Sequence, residues 1–160
     1  MRLRPITASD HADVLALNDR DVELLAPLDE ARLVQLLDWA DRALVIDVNG
    51  AFAGFVITFA SGSAYDGKNF AWFSERYTDF GYLDRVVLHQ DFRRRGLGSQ
   101  VYDALERSLG CPLFALEVNL DPPNDASLAF HRARGFFEVG QRVAQGHLVS
   151  LLLKTLPSDG

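Results

Sequence analysis

The spacing of apolar residues in the first half of the chain predicts three strands and two helices. A short strand is expected over residues 3–7, then a helix that starts at Ser9 or Asp10, and a second helix over residues 29–39. Residues 43–48 and 51–60 are strand-like runs on either side of Asn49-Gly50. Because Asn-Gly supplies the positive φ angles of a two-residue turn, these runs form a predicted hairpin.

In the second half, strand-like and helix-like patterns alternate. Strands are predicted over residues 82–88, 113–119, 136–143 and 147–153. A helix from Gly96 or Gly98 to residue 109 has its apolar side chains at helical spacing, and another is expected over residues 124–134. A hairpin followed by this alternation predicts a mixed α/β domain.

Residues 61–81 break the regular pattern. The segment is rich in glycine, serine and aspartate but also carries six aromatic residues. Long irregular connections are often binding loops, and aromatic residues among polar ones suit a pocket for an amphipathic small molecule. The same aromatic residues could instead cover an edge of the core. The candidate substrate-binding residues of this segment are Tyr65, Asp66, Asn69, Phe73 and Tyr77.

Composition and charge narrow the class of protein. The 160 residues are 48% apolar with a net charge of −6, which predicts one domain over residues 1–160 and disfavours a nucleic-acid partner. No run approaches the roughly 20 apolar residues of a membrane helix, and the first residues lack a secretory signal. One cysteine, Cys111, excludes an internal disulfide, and the four histidines show no metal-ligand spacing. We therefore expect a cytoplasmic protein with no metal and no membrane association.

The most informative segment is the basic turn before the helix near residue 97. Three arginines at positions 93–95 directly precede Gly96-Leu97-Gly98. The first N–H groups of a helix lack intrahelical partners, its N-terminal end is partially positive, and glycine allows an anion to approach the backbone. On an acidic protein this positive patch indicates one anionic ligand, although an exposed arginine run can also be simply solvated.

Two blocks of the sequence resemble one known superfamily. Arg93-x-x-Gly96-x-Gly98 is similar to the Gln/Arg-x-x-Gly-x-Gly/Ala signature of the GCN5-related N-acetyltransferases (GNAT), in the same strand–turn–helix context. The strand around Glu117, followed by Asn124, His131 and Gly135-Phe136, resembles the family's later strand and helix. The motif-level similarity covers about residues 82–137 and is typical of a bacterial branch.

The resemblance implies an α/β (α+β) GNAT fold and a coenzyme. The expected sheet is mixed, mostly antiparallel, with about six to seven strands and about four flanking helices. The implied cosubstrate is acetyl-coenzyme A, with its diphosphate on the basic turn and its pantetheine arm along the main chain of the strand before it. Asn124 would steady this arm and could also cap its own helix. The implied coenzyme-binding residues are Val86, Val87, Leu88, Arg93, Arg94, Arg95, Gly96, Leu97, Gly98, Ser99, Asn124 and His131.

Acetyl transfer to an amine requires a base. A lysine-type amine has a pKa of about 10.4 and is protonated at neutral pH, and a carboxylate can remove that proton. Glu117 is the leading candidate, because it lies in an apolar strand where ribosomal-protein N-acetyltransferases of this superfamily have a glutamate; an edge charge or an ion pair is the alternative. Asp84 is the second candidate, since it interrupts the strand over residues 82–88. Strand alternation places Arg85 on the opposite face, so we expect it to be a poor partner for Asp84.

His131 stands where the family usually has a tyrosine that acts as the acid. A histidine could protonate the departing thiolate, but a helix histidine without a catalytic role is the alternative. The implied activity is therefore acetyl transfer to a primary amine of a small molecule or peptide by direct attack, by a protein that could be a homodimer. Two other functions stay open. The aromatic segment could shape a pocket for a longer acyl-CoA, and the departure at His131 fits a non-catalytic acyl-CoA-binding or sensing module.

Overall fold

The computed structural model describes residues 1–20 and 26–157, which contain seven strands and five α-helices. The strands are β1 (Arg2–Pro5), β2 (Arg42–Val48), β3 (Ala51–Ala60), β4 (Gly81–Leu88), β5 (Leu113–Asn119), β6 (Phe137–Ala144) and β7 (His147–Thr155). The helices are α1 (His11–Arg20), α2 (Glu30–Trp39), α3 (Lys68–Ser74), α4 (Leu97–Ser108) and α5 (Asp125–Ala133). Short 3-10 turns at Ala8–Asp10 and Gln90–Phe92 precede α1 and the basic turn. None of the helices in these ranges is long and apolar enough to span a bilayer.

The strands form one sheet in the order β1-β2-β3-β4-β5-β7-β6. The pairs β1–β2, β2–β3, β5–β7 and β6–β7 are antiparallel. Strands β4 and β5 are parallel, and their register consists of two pairs, Gly81 with Phe114 and Tyr82 with Ala115. The predicted fold class, a mixed and mostly antiparallel sheet with flanking helices, is confirmed.

The chain divides into two compact units. The first consists of Met1–Phe59 and Leu83–Leu109, and the second of Ala60–Tyr82 and Gly110–Gly160. In the first unit, Asp29 caps α2 by accepting a hydrogen bond from the Arg32 amide at 2.7 Å, as expected for an aspartate before a helix. The core of the first unit is aliphatic with few aromatic residues. Its fully buried members include Val14, Leu33, Val45, Ile46, Phe55, Val101 and Leu105.

Strands β3 and β4 approach each other closely at Gly54 in the first unit. A Cβ on Gly54 would lie 2.1 Å from the Val87 carbonyl oxygen and 3.1 Å from the Cα of Leu88. Since no side chain fits there, glycine is required by the close approach of two backbones. This contact lies beside the end of β4 that leads into the basic turn.

The second unit is built around aromatic side chains. The prediction of an irregular connection over residues 61–81 is wrong for Lys68–Ser74, which form α3. Phe70 and Phe73 are three residues apart, so both point from one face of α3 into the core, where they are 3% and 0% exposed. This pattern was hidden because the helix has only seven residues, too few to show helical periodicity.

Candidate active site

The basic turn has the backbone shape that an anion site needs. Arg94 and Gly96 have φ angles of 63° and 73°, so the chain passes twice through the left-handed region before α4 begins at Leu97. A Cβ on Gly96 would meet no heavy atom within 4 Å among the described residues outside its own chain neighbours, so its side-chain position is open. Gly96 is the N-cap of α4 and has no side chain to accept hydrogen bonds from the first amides of the helix. The backbone conformation therefore suits an anion, and the binding of the coenzyme diphosphate at this turn stays a prediction.

The arginine side chains of the turn are exposed, and two of them have defined contacts. The Arg95 guanidinium lies 5.2 Å from the centre of the Phe92 ring. The Arg93 Nε donates to the Leu88 carbonyl at 3.2 Å, which ties the turn to the end of β4. The sequence predicts that the main chain of Val86 and Leu88 pairs with the pantetheine arm. The Leu88 carbonyl is thus already an acceptor for Arg93.

Glu117 projects from β5 in the second unit. Its carboxylate Oε2 accepts a hydrogen bond of 2.5 Å from the hydroxyl of Tyr82, on β4. Tyr82 was not a predicted site residue, because nothing in its local sequence distinguishes it from a core tyrosine. The signal lies in the strand register, since Tyr82 pairs with Ala115 and the side chains of Ala115 and Glu117 share one face of β5.

Asp84 is engaged in a buried ion pair. The expectation that Arg85 is a poor partner is wrong, because its Nε donates to the Asp84 carboxylate at 2.8 Å, with both side chains at most 7% exposed. The long arginine side chain reaches around the strand, which alternation of Cβ directions does not exclude. Arg85 Nη1 also donates to the side-chain oxygen of Asn18 at 2.9 Å. These contacts satisfy a buried charge and favour a structural role for Asp84.

His131 is buried on α5 and only 5% exposed. Burial lowers the pKa of His131, the nearby Arg134 charge adds to this, and the hydrogen bond with Ser127 opposes it. Its Nδ1 lies 2.7 Å from the Ser127 carbonyl oxygen and therefore donates to it. The ring also packs edge-on against Phe130 and Phe136, with centroids 5.2 Å away in each case. A neutral imidazole with its proton on Nδ1 has an acceptor at Nε2.

Asn124 caps the same helix. Its side-chain oxygen accepts from the Ser127 amide at 3.2 Å, so the capping role considered for it is present in the structure. The proposed contact of Asn124 with the coenzyme arm stays a prediction.

The predicted acceptor-binding residues differ in exposure. Phe73 is fully buried and packs against Tyr77, Phe80 and Tyr82, with centroids 6.0 to 6.2 Å away, which favours a core role. Tyr65 and Tyr77 are half-buried, and Asp66 is exposed.

The fifth predicted acceptor residue joins α3 to the hairpin of β6 and β7. Asn69 is half-buried, and its side-chain oxygen accepts from Arg142. Trp72, which was not predicted, packs on Gly140 so closely that a Cβ there would lie 2.6 Å from its ring. These contacts hold α3 against β6. In residues 1–20 and 26–157 no group of His, Cys, Asp or Glu could hold a metal ion.

A seven-stranded mixed sheet in this order, with β4 and β5 as a parallel pair, is the architecture of the GNAT fold. Residues 11–136 match the family model described as the acetyltransferase (GNAT) family. The chain belongs to this family of acetyltransferases, as the sequence predicts.

Three solved structures show the extent of the similarity in fold. Ard1 from Thermoplasma volcanium is 18% identical with a TM-score of 0.74, and the match covers 98% of each chain. The ribosomal-protein-S18-alanine N-acetyltransferase from Escherichia coli is 19% identical with a TM-score of 0.70, covering 99% of this chain and 96% of its own. YncA from Salmonella typhimurium, solved with its cofactor acetyl-CoA, is 18% identical with a TM-score of 0.71, covering 100% and 96%. No curated protein matches this chain.

Proposed function

We propose that this protein acetylates a primary amine by direct attack on acetyl-CoA, with Glu117 as the general base. The observation that carries this choice of base is the contrast between two carboxylates. Asp84 is held in a buried ion pair with Arg85, whereas Glu117 is half-buried and accepts a hydrogen bond from a neutral hydroxyl. Asp84 therefore balances a buried guanidinium, and Glu117 is the carboxylate that we assign to proton transfer.

The basic turn binds the coenzyme in this proposal. The backbone amides from Arg94 to Ser99 hold the diphosphate at the start of α4, and the exposed arginines at 93–95 add positive charge. Bound acetyl-CoA supplies an activated acyl group as a thioester. The fit of the turn to a phosphate rests on two features, its backbone conformation and its arginine side chains. The position of a Cβ on Gly96 is open space among the described residues.

Glu117 makes the amine reactive. An α-amine with a pKa of about 7.7–8.0 and a lysine-type amine at about 10.4 are both mainly protonated at neutral pH. The carboxylate takes one proton from the ammonium group, so that the nitrogen lone pair becomes available for attack. A thiol with a pKa of about 8.5 is a tolerable leaving group, so the reaction does not depend on a strong acid.

His131 is the weaker part of the predicted mechanism. A general acid must carry the transferable proton, but burial favours the neutral ring and Ser127 accepts the Nδ1 proton. We therefore propose that His131 mainly orders α5, and that the thiolate departs without help from this ring. The prediction that it is the acid is tested by the turnover of His131→Phe.

The acceptor is a primary amine whose identity we test with three probes. The E. coli neighbour is named for alanine of ribosomal protein S18, so a peptide with an N-terminal alanine is the first probe. The net charge of −6 favours a cationic acceptor, so spermidine and a peptide with a lysine side chain are the second and third. We expect thiol release from acetyl-CoA with at least one of these three amines.

The base is tested with a matched pair of variants. Glu117→Gln is expected to lower turnover by about 100-fold, as removal of a general base does, with unchanged affinity for coenzyme A in calorimetry. Glu138→Gln is the control, because Glu138 also accepts a hydrogen bond from a hydroxyl, that of Ser150 at 2.6 Å. Equal activities of the two variants would remove Glu117 from the mechanism.

A non-catalytic acyl-CoA sensor is the second candidate function. It is favoured by the burial of His131 at the position where the family usually has a tyrosine acid. A sensor would gain thermal stability on addition of coenzyme A but release no thiol with any of the three amines. Turnover with any of them excludes it.

A further inference from the structure

The hydroxyl of Tyr82 contacts the carboxylate on which the proposed mechanism depends. The distance from the Tyr82 oxygen to Glu117 Oε2 is 2.5 Å, which is typical of a charge-assisted bond between a hydroxyl and a carboxylate. The two residues are 35 positions apart in the sequence and belong to the same compact unit. The contact is therefore a product of the tertiary fold.

Tyr82 is held firmly enough to act as a fixed donor. It is only 2% exposed, and its backbone is one member of the two registered pairs between β4 and β5. Its ring lies 5.6 Å from Phe70, 6.0 Å from Phe73 and 6.4 Å from Tyr65, centre to centre. Rings on several sides restrict both side-chain torsions, so the direction in which the hydroxyl points is set by packing.

We infer that Tyr82 is a positioning residue that orients the Glu117 carboxylate for proton abstraction from the acceptor amine. The inference rests on the proposed function, because it requires that Glu117 is the base. Tyr82 keeps its own proton throughout. The N–H bond of the ammonium breaks, an O–H bond forms on Glu117, and the phenol donates to the same carboxylate before and after the transfer.

This role has a physical reason. A glutamate side chain has three rotatable bonds, and a base must lie within hydrogen-bond reach of the proton that it takes. A donor fixed by buried aromatic rings reduces the number of carboxylate orientations, which is how supporting residues raise the efficiency of a catalytic group.

The inference is tested with Tyr82→Phe, which removes one oxygen and keeps the ring. We expect turnover in the thiol-release assay to fall by about tenfold, while the KM for acetyl-CoA and the calorimetric affinity for coenzyme A stay unchanged. Tyr102→Phe is the matched control, since Tyr102 is also buried, at 4% exposure, but lies on α4 in the other unit. It should retain wild-type turnover.

A double-mutant cycle separates positioning from a general loss of structure. Tyr82→Phe combined with Glu117→Gln should be no slower than Glu117→Gln alone, within about twofold, because the hydroxyl then has no base to orient. The thermal midpoint of each variant is measured alongside. A loss of stability acts in both backgrounds, whereas positioning acts only when Glu117 is present.

Three results would overturn the inference, and they differ from one another. Wild-type turnover in Tyr82→Phe removes the role of Tyr82 alone, and so does an equal loss in both backgrounds. Wild-type turnover in Glu117→Gln removes the proposed base and the inference together. No thiol release from the wild-type protein with any of the three amines removes the proposed function itself.

Discussion

Replacement of Gly54 by alanine tests how strongly β3 supports β4, the strand that we propose binds the coenzyme. The added Cβ would lie 2.1 Å from the Val87 carbonyl oxygen, whereas non-bonded heavy atoms normally stay about 3.5 Å apart. The two backbones must therefore separate by roughly 1.4 Å. Overpacking of this kind costs about 1–3 kcal/mol, and we expect the upper part of that range because the obstructing atom belongs to the main chain.

The matched control is Gly140→Ala, the same change in a strand of the second unit. There the Cβ would lie 2.6 Å from the ring of Trp72, a half-buried side chain that can rotate away. We expect it to cost about 1 kcal/mol.

Thermal unfolding measures the difference between the two variants. For a chain of this size 1 kcal/mol corresponds to roughly 2–4 °C in the midpoint, so Gly54→Ala should unfold about 6–12 °C below the wild type. Its affinity for coenzyme A should fall by about tenfold if β4 moves, which corresponds to about 1.4 kcal/mol. Equal midpoints for Gly54→Ala and Gly140→Ala would refute the argument from backbone contact.

Four further predictions concern charge, catalysis and backbone conformation. Paired hydrogen bonds from Arg4 at 2.8 and 2.9 Å hold the pKa of Asp10 well below its usual range, so Asp10→Asn should lose about 2 kcal/mol of unfolding free energy at pH 7. Because the unfolded chain protonates this group more readily, the deficit should shrink as the pH falls below about 4, and a constant deficit in urea titrations would contradict the assignment. Burial lowers the pKa of His131, so the native protein resists a proton that the unfolded chain accepts below about pH 6.5. As the pH falls below this value, the unfolding free energy of His131→Phe should decrease less steeply than that of the wild type. Equal slopes of unfolding free energy against pH would contradict the lowered pKa. In turnover, we expect a loss smaller than tenfold in His131→Phe, while a larger loss with unchanged coenzyme affinity would restore the imidazole as the acid. Arg94 has a φ of 63°, so Arg94→Gly should raise the unfolding free energy by about 0.5–1 kcal/mol, and a lower thermal midpoint would show that the arginine side chain contributes more than the strain costs.

The elements with clear periodicity could be predicted from sequence alone. The strand predicted over residues 113–119 is β5 with the same bounds. An apolar run between a proline and a polar turn leaves little freedom in where a strand can begin and end. Helix α3 was missed, since its buried residues Phe70 and Phe73 lie within a segment full of glycine and serine. Short helices of this kind are stabilised by tertiary packing, which local sequence does not report.

The candidate site was predicted in part for the same reason. The basic turn is contiguous in sequence, so its arginines and glycines could be read together. The partner of Glu117 could not, because Tyr82 reaches it through the register of two parallel strands. The prediction for Asp84 and Arg85 was wrong because strand alternation fixes only the direction of each Cβ. The guanidinium of Arg85 lies at the end of a long side chain and can bend back to the face of the strand that carries Asp84.

The protein contains one sulfhydryl, that of Cys111, which precedes β5 in the chain, is half-buried and donates to the Leu113 carbonyl at 3.3 Å. Reagents that detect coenzyme A by its sulfur also react with protein sulfur. Since each chain offers a single such group, this background is limited to one equivalent of enzyme and produces an offset of fixed amplitude, while turnover produces a slope. The same atom allows one fluorescent or spin label to be attached to the second unit without any substitution in the chain.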